Sequence, residues 1–293
     1  MTEITPLAIE SWAGPCSAQD QSSAITALES GDVLLLPQLD FPLRDNERAL
    51  YFQSAGVEVK GKNISLNLAD NSVRGSHADA AELAVLRDMM VRFATDSRAL
   101  VHALLPGYVS TIEQGRTSFR PVEVAGRPSS WRKDDARLHV DSFPSSPTRG
   151  KRILRLFTNV NPHGQGRHWR LGERFEEVAS RYLATLPNPL WGSSQVLAML
   201  GITKGRRSDY DHFMLQLHDR MKADSAYQGS GGQRDFVFAP GCTWMVYTDQ
   251  VPHAAMGGRF AFEQTFYLPV AGMHDPAKSP LRVLERLMGR ELA

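Results

Sequence analysis

The pentapeptide Arg137-Leu138-His139-Val140-Asp141 lies in the middle of the part of the chain that determines the fold. Alternate side chains of a β-strand point to the same face, so this stretch predicts a strand with His139 and Asp141 on one side of a sheet. Two further β-type runs flank it, at 117–124 and 152–160, with clusters of Gly, Pro and Ser between the three. We therefore expect a β core to begin here.

The second half of this core is predicted near the end of the chain. β-type runs cover residues 236–238, 243–248 and 259–270, and Gly257-Gly258 suits a tight hairpin turn before the last of them. His253 lies between the second and third runs. We expect it to follow a strand and to precede this hairpin.

Helices are predicted on both sides of the β-type runs and between them. Apolar residues recur at helical spacing over 79–105, 171–186 and 208–221, and Ser279-Pro280 supplies an N-cap and a first-turn proline for a terminal helix. Near the N-terminus, residues 33–36 form a short apolar run that ends at a proline, which predicts a buried strand.

Helices thus come first and strands later, which favours an α+β protein over an alternating β/α one. We predict a double-stranded β-helix core (jelly-roll or cupin-like) with flanking and inserted helices. A single domain, 1–293, is expected. It divides into a mixed N-terminal region with the long helix (1–110), the jelly-roll core (111–272) with a helical insertion at about 171–225, and the terminal helix (273–293).

Composition narrows the class of protein. With 33 Lys and Arg against 32 Asp and Glu, the net charge is +1, so we expect no nucleic-acid partner. Cys16 and Cys242 form no C-x-x-C pair, which argues against a disulfide framework and a cysteine zinc site and favours a reducing compartment. No signal peptide and no membrane-spanning run is visible, so we expect a cytoplasmic protein whose membrane contact, if any, is peripheral.

The pair His139 and Asp141 has the chemistry of a metal site. A non-haem Fe(II) centre uses two histidines and one carboxylate on one octahedral face, and His253 is the candidate third ligand. An H-x-D pair alone also fits a surface strand with a solvated aspartate and a hydrogen-bonded histidine. Strand context on both sides, and the arginine that follows the second histidine, favour the metal site.

That arginine is relevant because oxygenases of this type use 2-oxoglutarate, whose distal carboxylate needs a cation. Guanidinium geometry suits a carboxylate. Arg259, predicted to open the last strand, is one candidate for this anchor. Arg155 is the other, and by strand alternation it shares a face with Asn159. Either arginine also fits a surface position, so the anchor stays open.

Several longer strings, spread over most of the chain, are shared with one enzyme family. They are Lys62-Asn63-Ile64-Ser65, Arg116-Thr117-Ser118-Phe119-Arg120-Pro121, Ser130-Trp131-Arg132-Lys133-Asp134-Asp135, His139-Val140-Asp141, Phe157-Thr158-Asn159-Val160-Asn161-Pro162, Trp169-Arg170-Leu171-Gly172-Glu173, Leu215-Gln216-Leu217-His218-Asp219 and Glu263-Gln264-Thr265-Phe266-Tyr267-Leu268-Pro269. In these strings the sequence resembles the bacterial 3-deoxy-D-manno-oct-2-ulosonic acid (Kdo) 3-hydroxylases. Those enzymes are Fe(II)- and 2-oxoglutarate-dependent oxygenases that act on the inner-core sugar of lipopolysaccharide.

The resemblance implies a reaction and a ligand set. The family's metal ligands correspond to His139, Asp141 and His253. Iron(II) would bind with 2-oxoglutarate and O2 as cosubstrates, and C3 of Kdo would be hydroxylated to give D-glycero-D-talo-oct-2-ulosonic acid. The implied substrate is a Kdo-containing lipid A precursor, met by peripheral contact with the inner membrane.

Basic and aromatic residues near the H-x-D motif are candidates for binding the anionic sugar. Arg137 comes first, because strand alternation gives it the face of His139 and Asp141. The others are Arg120, Trp131, Arg132 and Lys133. These arginines also fit surface pairs with Asp134 or Asp135. The run Lys204-Gly205-Arg206-Arg207 suits lipid phosphates or an anionic membrane, and equally a solvated loop.

The remaining motifs point away from other enzyme classes. His218-Asp219 resembles a catalytic dyad, but adjacent helical residues do not face each other, which predicts a structural histidine. No G-x-S-x-G, P-loop or dinucleotide fingerprint occurs, which excludes a serine hydrolase, a nucleotide-triphosphate enzyme and a Rossmann dehydrogenase. Two alternatives remain: a 2-oxoglutarate hydroxylase of a protein side chain, and a cupin-like sugar-binding protein without catalysis. Oligomeric state is not predicted.

Overall fold

The computed structural model describes residues 1–53, 63–127, 129–190, 192–230 and 232–293. Lys62, the first residue of one string quoted above, lies outside the described residues. Within them the chain forms eleven β-strands and eight α-helices. No helix in these ranges is both long enough and apolar enough to cross a membrane.

Eight strands build a major sheet in the order β1-β2-β9-β6-β11-β5-β3-β4, and three build a minor sheet in the order β10-β7-β8. Only β1 and β2 pair in parallel; the other neighbouring strands are antiparallel. The strands are β1 (Ile4–Pro6), β2 (Val33–Leu36), β3 (Ile64–Asn67), β4 (Ser72–Arg74), β5 (Glu113–Arg120), β6 (Arg152–Asn159), β7 (Arg167–Leu171), β8 (Arg234–Phe238), β9 (Thr243–Tyr247), β10 (His253–Gly257) and β11 (Ala261–Leu268).

Aromatic side chains fill the space between the two sheets. Trp244 of β9 stacks on Phe157 of β6 and on Phe238 of β8, with centroid distances of 5.2 and 4.0 Å. Trp169 of β7 meets Trp244 edge to face at 5.6 Å. All four side chains are buried, so one apolar cluster joins both sheets. The predicted α+β class with a jelly-roll core is confirmed.

The helices form two groups and a terminal element. Three helices precede β5, and two of them, α1 and α3, pack against the major sheet. Four others lie between β7 and β8, as predicted for the insertion. The last helix packs against α4. The helices are α1 (Ala18–Glu29), α2 (Asp45–Tyr51), α3 (Ala80–Leu104), α4 (Phe175–Tyr182), α5 (Ser193–Met199), α6 (Asp209–Ala223), α7 (Ser225–Gln228) and α8 (Pro280–Met288).

A capping box starts the long helix α3. The Asp79 carboxylate accepts hydrogen bonds from the backbone N–H groups of Ala81 and Glu82, and the Glu82 carboxylate accepts from the Asp79 N–H. We expect Asp79→Ala to destabilise the protein by about 1 kcal/mol, because the first turn then loses its acceptor. Urea unfolding measures the change. The control Asp88→Ala, on the exposed face of the same helix, should stay within about 0.5 kcal/mol of the parent, and equal losses would contradict this role of Asp79.

The predicted strand over 137–141 is wrong as a regular strand. His139 alone forms a bridge, with His253. The backbone groups of the neighbouring Leu138 bond to a side chain instead of a strand. The Gln228 amide donates to the Leu138 carbonyl and accepts from the Leu138 N–H. These side-chain bonds replace a second ladder, so the segment follows β10 without extending the minor sheet by a full strand.

The predicted hairpin at Gly257-Gly258 is also wrong. The strands on its two sides belong to different sheets, β10 to the minor and β11 to the major. Gly258 has φ +98°, and a Cβ there would lie 2.7 Å from the Gly166 carbonyl oxygen, so glycine is required where the chain crosses between sheets. Consequently β11 begins at Ala261, and Arg259 lies in the crossing rather than at the start of the strand. The strand β10 itself was not predicted from the sequence.

The other predicted elements are found, but the bounds of two differ: the strand expected at 117–124 lies at Glu113–Arg120, and one helix begins late. The strand at 33–36 and the helices beginning after Ser208 and Ser279 are found with those serines as N-caps. The helix predicted from residue 171 begins only at Phe175, because Leu171 pairs with His253 as the last residue of β7.

A fully buried ion pair links β6 to the turn after β9. The Arg152 Nε donates to Asp249 at 2.7 Å, and both side chains are at most 1% exposed. Arg152 also donates to the Gln250 amide oxygen at 2.6 Å, and its guanidinium lies 3.8 Å from the centre of the Tyr247 ring. This pair fixes the turn that carries the chain toward His253.

Candidate metal centre

Three segments bring His139, Asp141 and His253 together. The two histidines exchange backbone hydrogen bonds, N–H to carbonyl, of 3.0 and 2.9 Å. The Asp141 N–H donates to the Thr248 carbonyl at 2.7 Å, which ties it to the end of β9. Backbone pairing across the two sheets thus sets the position of each side chain.

The side chains of these three residues converge. One ligand atom from each lies within 4.8 Å of the others, the only such cluster of His, Cys, Asp and Glu in the ranges that the structure describes. His139 Nε2 and Asp141 Oδ1 are 3.7 Å apart. Both histidines are 6% exposed. The predicted ligands therefore meet at one buried point.

Hydrogen bonds fix the tautomer of each imidazole. The Nδ1 of His139 lies 2.7 Å from the Arg137 carbonyl oxygen, and that of His253 lies 2.9 Å from the Val251 carbonyl oxygen. A carbonyl oxygen only accepts, so each Nδ1 carries the proton and each Nε2 keeps its lone pair. Burial lowers the pKa of both imidazoles, which favours the neutral form that binds metals.

Arg155 holds the carboxylate of the triad. Its Nη2 lies 2.8 Å from Asp141 Oδ2, and its Nη1 donates to Glu263 Oε1 at 3.0 Å. Burial alone would raise the pKa of Asp141, but the Arg155 guanidinium, together with His253 and a hydrogen bond from Thr248, outweighs burial and lowers the pKa to about 2. Asp141 is therefore ionised at neutral pH, as a metal ligand must be.

This donor set fits Fe(II). Two neutral imidazole nitrogens and one carboxylate oxygen are the ligands that non-haem iron oxygenases use, and three coordination positions remain for other molecules. The Nδ1–H bonds of the histidines and the Arg155 pair of Asp141 orient all three groups from behind.

Charged side chains continue from the triad into the space between the sheets. Arg120 of β5 donates two hydrogen bonds to Glu263, and its Nη1 lies 3.8 Å from Asp135. Arg127 also pairs with Asp135, at 3.1 Å. Glu263 has a lowered pKa, because Arg120 and Arg155 together outweigh the effect of burial. Each of these arginines is thus matched to a carboxylate.

Arg167 of β7 differs from these arginines. It is 3% exposed, and its Nη1 donates to the Gly258 carbonyl at 2.5 Å. Within the described part of the chain no carboxylate lies within 4.0 Å of its guanidinium. Burial and the nearby Arg120 charge lower its pKa to about 10. Arg167 shares its strand face with Trp169, whose ring stacks on His253 at 5.2 Å, so a buried cation lies on the same wall as a metal ligand.

The other two residues predicted to bind the cosubstrate lie elsewhere. The Asn159 amide nitrogen donates to the carbonyls of Gln165 and Phe238, and its amide oxygen accepts from the Asn161 N–H. Its amide is therefore engaged with the backbone. Arg259 is partly exposed, and its guanidinium lies 4.6 Å from the centre of the Phe260 ring.

Helix α6 approaches the triad from the insertion. The His218 ring meets the His139 ring edge to face at 5.2 Å, and the positive charge of Lys222 is one cause of the lowered pKa of His139 and of His253. Lys222 is 2% exposed, and its Nζ donates to the Arg132 carbonyl. His218 Nδ1 lies 3.0 Å from Asp219 Oδ1, so these adjacent residues do interact, contrary to the prediction from helix geometry.

The residues predicted to bind substrate fall into two groups. Arg120 lies in the interior, as described above, while the rest surround α6. Arg137 Nη1 donates to the Lys222 carbonyl at 2.8 Å, and Arg132 pairs with Asp219 at 3.1 Å. The Arg132 guanidinium also covers the Trp131 ring at 4.2 Å, and Lys133 is exposed.

Sequence patterns did not predict a role for Arg167 or Lys222, nor the place of His218 beside His139. A signal for the first was present: in Arg167-His168-Trp169-Arg170-Leu171 the period of two puts Arg167 on the face of Trp169 and Leu171, which marks a buried cation. Lys222 follows His218 by four residues, which places both on one face of α6.

The jelly-roll and its buried triad define a non-haem Fe(II)- and 2-oxoglutarate-dependent dioxygenase. The sequence profile of one family of such enzymes, described as 3-deoxy-D-manno-oct-2-ulosonic acid (Kdo) hydroxylase, matches residues 11–291. The chain belongs to the Kdo hydroxylase family, as its resemblance predicted.

Solved structures of a relative agree with this assignment. The Kdo hydroxylase KdoO, in complex with α-ketoglutarate and Fe(III), is 44% identical with a TM-score of 0.94, over 100% of this chain and 98% of that chain. Its complex with cobalt(II) is 45% identical in sequence with a TM-score of 0.95, and the match covers 99% of this chain and 97% of that chain. Its complex with succinate and Fe(III) is 44% identical in sequence with a TM-score of 0.94, and the match covers 99% of this chain and 97% of that chain. No curated protein sequence matches this chain.

Proposed function

We propose that this enzyme hydroxylates C3 of Kdo in a lipid A precursor, which converts that sugar into D-glycero-D-talo-oct-2-ulosonic acid while it stays attached to the lipid. C3 is the deoxy position of Kdo, so a hydroxyl group added there gives the fully oxygenated sugar acid. The observation that carries the proposal is the buried triad of His139, Asp141 and His253 in a chain of this family. Membership in the family favours the sugar over a protein side chain as substrate.

The triad would hold Fe(II). When bound, the iron supplies oxidation of a C–H bond by O2, coupled to conversion of 2-oxoglutarate into succinate and CO2. The work of the chain is positioning and exclusion of water. Arg155 keeps Asp141 ionised and in place, and the carbonyls of Arg137 and Val251 keep the Nε2 atoms directed to one point.

We assign the distal carboxylate of 2-oxoglutarate to Arg167. A buried cation is costly without an anion, and the described residues give Arg167 a carbonyl but no carboxylate. Arg155 already serves Asp141 and Glu263, while Arg120 and Arg127 share Glu263 and Asp135. Arg259 lies outside the wall that carries His253. Arg167 lies on it, beyond Trp169.

The sugar would enter from the side of α6. Kdo carries a carboxylate, and the positive charge of Lys222 acts on His139. The Arg137 guanidinium, bound to the Lys222 carbonyl and 3.7 Å from Asp134, brings a second cation to the same helix. The His218 ring, edge to face with His139, limits the space beside the triad. We therefore propose Lys222, Arg137 and His218 as the sugar-binding residues, with Arg132, Trp131 and Lys133 at the entrance.

We expect Arg167→Met to raise the KM for 2-oxoglutarate about 10- to 100-fold, because a charge-assisted hydrogen bond contributes about 1.5–3 kcal/mol. The kcat at saturating cosubstrate should change little, since this contact exists equally before and during the reaction. Initial rates at varied 2-oxoglutarate measure both values.

Arg259→Met is the matched control for this variant. It removes a guanidinium near the same crossing between the sheets, and its KM should equal that of the parent. If Arg259→Met raises the KM and Arg167→Met does not, the anchor is Arg259. The melting temperature of each variant separates binding from folding.

An iron-loaded assay tests the function itself. The enzyme is given 2-oxoglutarate, O2 and Kdo-lipid A, and succinate and the mass of the sugar are followed. We expect a gain of about 16 dalton, one oxygen atom, in step with succinate. Kdo deuterated at C3 should lose one deuterium. Oxygen added with both deuterium atoms retained would place the reaction at another carbon, and succinate without sugar modification would point to another substrate, for which peptides are the first to test.

A further inference from the structure

Helix α5 and the turn after it expose an unusual concentration of apolar side chains. Val196, Met199, Leu200 and Ile202 are 54, 86, 68 and 53% exposed. In the described ranges every large apolar residue that is more than half exposed lies between 190 and 202. Scattered apolar residues are normal on a surface, but a contiguous group marks an interaction site. We call these four residues the α5 surface.

A basic cluster adjoins the α5 surface. Lys204, Arg206 and Arg207 lie within five residues after Ile202, and Lys204 and Arg206 are exposed. None of the three has a carboxylate within 4.0 Å among the residues that the structure describes. Arg149 adds a further positive charge, since its Nε donates to the Arg206 carbonyl at 3.3 Å. Apolar side chains bordered by unneutralised cations match a lipid surface with anionic headgroups.

The same segment contacts the loop that follows Asp141. The Lys204 N–H donates to the Ser145 carbonyl at 2.9 Å, and the Arg207 guanidinium donates to the Pro144 carbonyl. The ring of Phe143, in this loop, lies 5.7 Å from the guanidinium of Arg155, which holds the triad. The α5 surface therefore lies next to the chain segment that carries a metal ligand.

We propose that residues 196–207 dock the enzyme on an anionic lipid bilayer, with the α5 surface inserted among the headgroups and the basic cluster on their phosphates. This inference rests on the proposed function in one respect, that the sugar is attached to a membrane lipid. Docking there brings the loop that follows Asp141 toward the lipid headgroups.

A second copy of the chain is a poorer occupant for this surface. In a symmetric dimer the same patch meets itself, so both basic clusters would face each other across a small apolar contact. Like charges in such an interface are repulsive. A bilayer offers the opposite charge to the whole cluster.

Vesicle sedimentation tests the docking without any Kdo lipid. Wild-type enzyme should sediment with phosphatidylcholine vesicles that contain phosphatidylglycerol, and less with phosphatidylcholine alone. Two double variants, Met199→Ser/Leu200→Ser and Lys204→Ser/Arg206→Ser, should each bind at least tenfold less. About fivefold per basic residue is expected near an anionic surface. Salt should weaken the binding of wild type.

The matched control is Val237→Ser/Leu287→Ser, which removes two apolar residues exposed on β8 and α8, at 49 and 38%. It should sediment like wild type. Equal sedimentation of all variants, or loss in the control as well, overturns the docking surface. The docking surface is also overturned if light scattering shows a dimer that Met199→Ser/Leu200→Ser converts to a monomer while vesicle binding stays unchanged.

Activity then separates docking from the function on which it rests. With Kdo-lipid A in vesicles, the variant Met199→Ser/Leu200→Ser should lose most of its turnover. With the deacylated, water-soluble Kdo saccharide its turnover should match that of wild type. Equal loss on both substrates overturns the docking role. Wild type that sediments with vesicles but hydroxylates neither substrate supports the surface and overturns the proposed function.

Discussion

The variant His253→Ala is expected to lose both its metal and its turnover. Removing the imidazole leaves two donors where three converge within 4.8 Å, and the remaining Nε2 and carboxylate cannot fill one face of an octahedron. Loss of a residue that merely orients a ligand already weakens metal binding about 10- to 100-fold, so loss of a ligand should exceed about 100-fold. Calorimetric titration with Co(II), which does not require turnover, measures the affinity.

His212→Ala is the control for this variant. His212 is on α6, and its Nε2 lies against the Pro187 carbonyl, away from the three ligands. It should bind Co(II) and turn over like the parent. The ligand assignment is wrong if His253→Ala retains the parent's Co(II) affinity, or if His139→Ala and Asp141→Ala do.

The second large effect is expected in stability. Arg152→Met should destabilise the protein by about 3–5 kcal/mol, because it leaves the Asp249 carboxylate buried at 1% exposure without its cation. The Gln250 amide oxygen and the Tyr247 ring lose the same guanidinium. Chemical denaturation at neutral pH measures the change in the free energy of unfolding.

Two comparisons isolate the cause of this effect. The double variant Arg152→Met/Asp249→Leu should recover much of the loss, because no buried charge then remains unpaired. Arg286→Met breaks a surface pair with Glu176, of which both side chains are about half exposed, and should cost at most about 1 kcal/mol. If Arg152→Met is as mild as Arg286→Met, the buried pair does not stabilise the fold as argued.

Sequence patterns predicted those elements whose signals are local. The capping residue Asp79 and the apolar spacing after it determine α3, and Ser279-Pro280 determines the start of α8. The metal triad was also within reach, because the pattern H-x-D restricts two ligands to one short segment and only the third had to be sought at a distance.

What failed depended on distant partners. Gly257-Gly258 has the composition of a hairpin, but the pairing of β10 with β7 and of β11 with β6 decides that the chain changes sheets there. The strand expected at 137–141 is limited to one bridge because a side chain from α7, that of Gln228, takes the neighbouring hydrogen bonds. No local pattern contains either fact.

The proposal of a cosubstrate anchor also depends on distant partners. Arg155 and Arg259 were the obvious cations by their position along the chain, but only the three-dimensional arrangement shows that Arg155 is occupied by Asp141 and Glu263. Arg167 is distinguished by the missing carboxylate among its described neighbours, and a sequence cannot display the lack of a partner.

The order of strands in the major sheet also has a consequence for biosynthesis. The last strand to leave the ribosome, β11, lies between β6 and β5 near the centre of the sheet. Likewise, β2 can pair with β9 only after most of the chain has been made. At about 5–20 residues per second, β11 follows β6 by roughly 5–20 seconds and β9 follows β2 by roughly 10–40 seconds, during which these strand edges are unpaired. Such a topology, dominated by contacts between distant residues, folds slowly. Until β11 is added, the facing edges of β5 and β6 are open to pairing with other chains.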